Sequence, residues 1–274
     1  MVEYMIKEYD NGKSFIEDND EFLNKNKYLT NFFYLDAELL KEINKYNYAL
    51  KIEEDNKKLL ALKVCDFALM LYGDHQLLKD LLIYIKSKDY YHDKIMAASN
   101  IKTELFKIAK DVLKCNYYEF LGMDFMEARA YTEASSNDVV HADLKDAEEI
   151  YELVLNFIAD CGLDDVVTKN NIIKHIDAYR IIKKDGLIVS MASFTKGVNS
   201  YHISEVYTRD EYRKKSYAKK VVNAIKNEIL DMNAVATLNV DKKNPISNHL
   251  YESLGFKKIF SQGIYHKVKD EKYI

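Results

Sequence analysis

The sequence predicts an α/β protein built on a mixed sheet, and three observations carry that prediction. From residue 202 onward strand and helix patterns alternate, the arrangement that buries a sheet under helices. Two stretches, YALKIEEDNKKLLALKV (48–64) and AYRIIKKDGLIVSMASFT (178–195), alternate apolar and polar residues on both sides of a polar turn, as hairpins do. A turn-rich segment, TEASSN (132–137), divides the 274 residues near the middle. The expected organisation is an N-terminal α/β domain over 1–135 and a second domain over 136–274.

In the first half, FLNKNKYLTNFFYLDAELLKEINKY (22–46) predicts one or two helices, with Thr30 or Asn31 as a cap. The first hairpin turns at Glu54–Lys57, and CDFALMLYG (65–73) follows as a buried strand ending at Gly73. HQLLKDLLIYIKSK (75–88) sets Leu77, Leu78, Leu81, Leu82 and Ile85 on one helical face. NIKTELFKIAKDVLKC (100–115) is a second helix, and YYEFLGMDFMEARAY (117–131) closes the half as one or two strands. His75 and His92 each stand beside an Asp, which suits surface or capping positions. Tyr90 and Tyr91 have no basic patch around them, so packing explains them better than base stacking.

In the second half, VVHA (139–142) predicts a short strand, and LKDAEEIYELVLNFIADCG (144–162) a helix stopped by Gly162. NNIIKHI (170–176) is a short helix, and the second hairpin turns at Lys184–Gly186 on an Asp-Gly pair. Then come a strand (His202–Tyr207), a helix (Tyr217–Leu230), a strand (Val235–Val240), a helix (Ile246–Leu254) and two strands (Phe256–Ser261, Ile264–Lys267). Both halves contain a hairpin followed by strand, helix, strand, helix, strand. The first half is therefore either a degenerate copy of the second or an unrelated α/β cap.

Composition narrows the function. With 48% hydrophobic and 31% charged residues the chain is expected to be soluble and globular. A net charge of −4 gives no global case for a nucleic-acid or membrane partner. Residues 1–136 carry 19 Lys+Arg against 24 Asp+Glu, and residues 137–274 carry 21 against 20. Three Cys without a C-x-x-C pair and no H-E-x-x-H motif argue for reduced thiols and against a bound metal. The polar, acidic N-terminus is no secretory signal and no apolar run reaches about 18 residues, so a cytoplasmic location is expected. One Pro and eight Gly leave no low-complexity linker.

The chemistry concentrates in HISEVYTRDEYRKKSYA (202–218). Strand alternation puts His202, Ser204, Val206 and Thr208 on one side and Ile203, Glu205 and Tyr207 on the other. From Ala218 the apolar residues Ala218, Val221, Val222, Ile225 and Ile229 recur at helical spacing. Between strand and helix lie Arg213, Lys214, Lys215 and Ser216, and Arg209–Lys220 holds six positive side chains against two negative. A strand that becomes a helix through such a turn aims unpaired amides and the helix dipole at one spot, which suits a phosphate or pyrophosphate.

VYTRDEYRKKSYA (206–218) resembles the first signature, Val-Tyr-Thr then Arg-x-x-Gly-x-Ala, of the GCN5-related N-acetyltransferase (GNAT) superfamily. NPISNHLYESLGF (244–256) resembles its second signature, and the likeness runs from about Asn137 to Lys267. Ser216 stands where the family has Gly, and Asp210 where it commonly has Pro. The resemblance implies a mixed sheet whose central strands splay apart between flanking helices, with acetyl-CoA as cosubstrate and no metal. It implies that Val206, Tyr207 and Thr208 lie along the pantetheine arm and that the amides of Arg213, Lys214, Lys215, Ser216, Tyr217 and Ala218 cradle the pyrophosphate. Asn244, Ser247 and Asn248 would line the arm, in addition to capping the helix that follows. Tyr251 falls at the general acid's position. His202, four residues before Val206, falls where family members place a base, with Ser204 to hold a water. Glu205 takes that role instead if a bulge re-aims it.

The implied activity is transfer of an acetyl group to a primary amine of a small molecule or protein by direct attack. The alternative is a non-catalytic module that binds CoA or acyl-CoA. It stays open because a Cβ at Ser216 crowds a pyrophosphate if φ is positive; a negative φ, with the hydroxyl donating to phosphate, is expected. A homodimer is neither implied nor excluded.

Overall fold

The protein is described by a computed structural model covering residues 5–26, 29–133, 137–163, 165–197 and 200–268. It divides into two compact units. The first contains Met1–Phe125, Asp241–Lys243 and Phe260–Ile274; the second contains Met126–Val240 and Asn244–Ile259.

The first unit runs β1 (Met5–Glu8), α1 (Gly12–Asn24), α2 (Asn31–Ala37), β2 (Tyr48–Glu54), β3 (Lys57–Lys63), β4 (Leu69–Gly73), α3 (Leu78–Ser87), β5 (Lys94–Ala98), α4 (Lys102–Ile108) and most of β6 (Tyr117–Ala128). The β2–β3 hairpin closes through Asp55 at φ 53°, a conformation Asp tolerates better than most side chains. Tyr48–Ile52 are all buried because the sheet is covered on both faces. Tyr48, Leu50 and Ile52 meet Leu78, Leu81, Leu82 and Ile85 of α3, while Ala49, Leu60 and Leu62 meet Phe15, Leu23 and Phe33 of α1 and α2. Each large apolar side chain so buried contributes about 1.5–3 kcal/mol, which is why the period-3.6 stripe of α3 was legible.

Two strands break the expected pattern. β1 lies ahead of the segment expected to be helical (22–46), where no element was expected, and pairs antiparallel with β2 from Met5↔Glu53 to Glu8↔Leu50. At four residues it is too short for a period-2 signal. β5 carries little strand signal, since KIMAA is poor in β-branched residues; it pairs parallel with β4 at Leu69↔Ile95 and Met70↔Met96. The helix expected over 100–115 is α4 followed by a single π turn, Ala109–Leu113, that ends with Lys114 at φ 57°.

The second unit runs β7 (Val140–His141), α5 (Ala147–Cys161), α6 (Lys169–Lys174), β8 (Arg180–Lys184), β9 (Leu187–Lys196), β10 (Tyr201–Thr208), α7 (Tyr217–Asp231), β11 (Ala236–Asp241), α8 (Pro245–Ser253) and the start of β12 (Lys257–Lys267). Gly162 ends α5 in the left-handed conformation at φ 62°, as its sequence predicts. The strand order in this unit is β11-β10-β9-β8-β7. Val221, Val222, Ile225 and Ile229 of α7 pack on one face with Ile203 and Leu238; Ile150, Leu153 and Val154 of α5 pack on the other with Ile181 and Met191. The two strands expected over 256–261 and 264–267 are one, β12. From Phe260 on it belongs to the first unit, where it pairs antiparallel with β5 from Gln262↔Ala98 to His266↔Lys94.

The order of elements repeats. Each half reads strand, two helices, three strands, helix, strand, helix, strand, so the N-terminal half carries a second copy of the same α/β succession.

Candidate functional site

The site grows from the edge of β10. β10 and β11 run parallel and pair at Tyr201↔Ala236, His202↔Thr237 and Ile203↔Leu238. β10 then continues to Thr208 while the ladder with β11 stops. On the opposite side β9 stays paired as far as Thr208↔Ser190. Ser204–Thr208 therefore turn an open backbone edge toward the gap, where an extended ligand arm can add as a strand does.

A bulge lies between Ser204 and Tyr207, with Glu205 at φ 51°. It corrects the expected alternation. Ile203 and Val206 pack with the α7 core, whereas Tyr207 packs with the α5 core. Glu205 is turned to the α5 face, where its carboxylate accepts Tyr179 Oη (2.5 Å) and Ser193 Oγ (2.7 Å). Ser193 Oγ also stands 3.0 Å from Ser204 Oγ. Two strand neighbours, Ser204 and Glu205, thus meet one hydroxyl.

His202 sits just before the opening, half-buried. Its Nδ1 is 3.2 Å from Thr237 Oγ1, and that hydroxyl donates its own proton to the Tyr201 carbonyl (3.1 Å). Both bonds are satisfied together when the ring is the Nδ1–H tautomer, with Nδ1 donating to the hydroxyl. Burial pulls its pKa down to about 4, so it is neutral near pH 7.

Beyond Thr208 the chain enters a turn held by arginines. Arg209 donates to the Ile188 carbonyl (2.8 Å) and to Glu149 (2.9 Å). Arg213 donates to the Thr208 carbonyl (3.0 Å) and pairs with Asp160 (2.6 Å) and Asp210 (2.8 Å). Its backbone N–H donates to the Asp210 carbonyl at 3.1 Å, so this one of the amides expected to cradle a pyrophosphate is already engaged within the turn. Lys214 and Lys215 are exposed, and Lys215 Nζ donates to the Glu211 carbonyl (3.2 Å).

Ser216 overturns a second expectation. It is the N-cap of α7 at φ 61°, left-handed rather than negative, and its side chain makes no capping bond. Lys214 is left-handed too, at φ 62°. A left-handed residue followed by the first helical turn, Tyr217 and Ala218, gathers successive N–H groups into a concavity for an anion. The strain, about 1–2 kcal/mol for a non-glycine residue, is carried where that concavity forms.

Asn244 caps α8: its side chain accepts the Ser247 N–H (3.0 Å), and Asn248 Nδ2 donates back to the Asn244 carbonyl (2.8 Å). Tyr251, 7% exposed, lies in the core that Val206 packs against, with Phe256 edge-on at 6.0 Å between ring centroids. Burial first, then the Cys161 thiol at the end of α5, pushes its phenol above the ordinary range.

The structure thus brings Ser204 and Glu205 together, and places His202 on Thr237 instead. The sequence assigns no site role to Tyr179, Ser193, Thr237, Asp160 or Cys161. Only the hairpin register, Ser193 opposite Ser204, signals one of them in advance. Among the described residues no group of three or more His, Cys, Asp or Glu side chains gathers, the cysteines form no disulfide, and no helix is long and apolar enough to cross a membrane.

The class of protein is thus an α/β fold whose sheet opens between two parallel strands, with a left-handed turn and a helix N-terminus at the end of the first. Residues 145–256 match the model of the Acetyltransferase (GNAT) family. The fold resembles a GCN5-related N-acetyltransferase from Sphaerobacter thermophilus (TM-score 0.66, 12% identity, 96% of this chain and 94% of that one). It also resembles an acetyltransferase of the GNAT family from Colwellia psychrerythraea (0.59, 10%, 97% and 100%). A third likeness is to a tandem GNAT protein from the clavulanic acid biosynthesis pathway (0.51, 9%, 97% and 98%). No curated protein matches the sequence. The match to this family model lies wholly within the C-terminal half of the chain.

Proposed function

We propose that the chain is a cytoplasmic, two-domain N-acetyltransferase that moves the acetyl group of acetyl-CoA to a primary amine of a small molecule or protein. The observation that carries this is the end of the β10–β11 ladder at Ile203, which leaves a strand edge leading straight to the N-terminus of α7. The edge of Val206–Thr208 suits a pantetheine amide arm. The N–H groups of Lys214–Ala218, with Lys214 and Lys215 beside them, suit a pyrophosphate. Acetyl-CoA supplies an acyl carbon activated as a thioester.

Glu205 takes the proton that the amine loses as its nitrogen bonds to the acyl carbon, directly or through a water held by Ser193 and Ser204. Tyr251 donates a hydrogen bond to the departing sulfur as the carbon–sulfur bond breaks. Full transfer from an ordinary phenol (pKa about 10) to a thiolate of pKa about 8.5 is uphill by about 2 kcal/mol, and burial adds to that. The hydrogen bond to the transition state, rather than early proton release, is therefore Tyr251's contribution.

His202 is the competing base, and substitution separates the two. Thiol release from acetyl-CoA over a panel of amines, polyamines and peptides is measured for the wild type, Glu205→Gln and His202→Gln. Glu205→Gln should lower kcat by about 10²-fold or more, and His202→Gln by less than about tenfold. The reverse order would transfer the role to His202. No turnover with any amine, despite calorimetric binding of acetyl-CoA, would make the chain a CoA-binding module.

A further inference from the structure

The first unit contains a cavity of about 250 Å³ that the acetyl-transfer chemistry does not use. Its inner wall holds Tyr117 and His92, with rings nearly parallel (13°) and centroids 6.5 Å apart. Tyr117 is 6% exposed, and its hydroxyl is buried without a hydrogen-bond partner. Both ring nitrogens of His92 are likewise buried and make no hydrogen bond of good geometry, although the Tyr90 backbone lies near enough to favour the protonated ring and the residue stands next to Asp93. The position beside an Asp suggested a surface or capping histidine, and the structure corrects this. Lys45, Lys86 and Lys267 also line the cavity, against one carboxylate there, Asp89.

Buried polar atoms gathered in one small space without well-made hydrogen bonds are costly unless something meets them. One water occupies about 30 Å³ of liquid volume, far less than this space. The volume also falls below the roughly 300–1,000 Å³ of pockets for drug-sized ligands. Its contents are therefore small, and the surrounding charge selects their sign.

We propose that this cavity is a second binding site, for a small metabolite bearing a carboxylate or phosphate group. In it the Tyr117 hydroxyl and the His92 imidazole hydrogen-bond the anion, while Lys45, Lys86 and Lys267 supply the opposing charge. Lys86 keeps one hydrogen bond to the Val112 carbonyl (3.1 Å), which holds its stem across the rim. Burial leads the groups that hold His92 neutral, to a pKa of about 4, and the Lys267 ammonium comes next. A neutral ring offers one donor and one acceptor, and a bound anion uses the donor.

The test uses the full chain carrying Lys214→Glu and Lys215→Glu, so that anion binding at the α7 turn does not contribute. Inorganic phosphate and succinate are titrated in separate arms at ionic strength fixed with sodium chloride. Two readouts are followed: the thermal midpoint, and the imidazole resonance of His92 identified by its loss in His92→Gln. A saturable rise in midpoint with a concurrent His92 shift is expected in at least one arm, and that arm identifies the head group. Lys45→Gln with Lys267→Gln should weaken binding at least about tenfold, and Tyr117→Phe about threefold or more. Tyr117→Phe removes an unpaired buried hydroxyl, so the unliganded variant should melt no lower than its parent. The absence of a saturable effect in both arms overturns the proposal. So does an effect that Tyr117→Phe and the double lysine variant leave unchanged.

Discussion

Ser216 shows how one residue can depart from a family pattern and keep its geometry. At φ 61° it holds the left-handed conformation for which glycine is the usual choice, and it holds it at the α7 N-cap. Ser216→Gly should raise unfolding free energy by up to about 1 kcal/mol, the relieved strain being partly offset by a looser unfolded chain. Acetyl-CoA affinity, measured by calorimetry, should stay equal or rise, because a Cβ leaves the concavity. A loss of affinity would mean that the hydroxyl is itself a ligand. For Tyr251, Tyr251→Phe keeps the packed ring and removes only the donor. kcat should fall by roughly 10²–10⁴-fold with acetyl-CoA affinity within about threefold, and turnover that survives intact would make Tyr251 a packing residue.

Among the elements, β10 and the turn after it were the most legible, because period-2 and period-3.6 patterns meet there around a run of cations. The bulge was not legible. Alternation assigns faces only while a strand stays regular, and what bends it, Tyr179 and Ser193 holding Glu205, is supplied by residues distant in the chain. β1 and β5 escaped notice for a related reason: short strands inside a sheet are specified by partners rather than by pattern. α3, α5 and α7 bury apolar stripes along their length and could be read directly. At the turn, reversing Lys214 and Lys215 together to Glu should weaken acetyl-CoA binding, more strongly at 50 mM than at 500 mM salt, since exposed charges act through screened fields. Unchanged affinity at both salt concentrations would move the phosphate site elsewhere.

At the scale of the molecule, each half carries a half-buried histidine, His92 in the first and His202 in the second, both with pKa values pulled down to about 4 by desolvation. In the unfolded chain each titrates near 6.5. Between pH 6.5 and 4 the unfolded state therefore binds protons that the native state does not. Stability present above pH 6.5 is lost as pH falls toward 4, with a limiting slope of about 2.7 kcal/mol per pH unit for two protons. Urea midpoints at pH 7 and pH 5 should show this, and His92→Gln with His202→Gln should flatten the dependence; an unaltered slope would place its origin in the carboxylates.

The repeated succession of elements has a further consequence through β12. The sheet of the first unit receives, beside β5, a strand that begins more than 150 residues later in the chain. During synthesis the first 125 residues leave the ribosome before this strand exists, so β5 waits with one edge uncovered while the second unit is being made. The two halves are alike in order yet unequal in time. The half whose elements come first is among the last to be finished, and a nascent chain arrested near residue 135 is the form of this protein most exposed to wrong pairing.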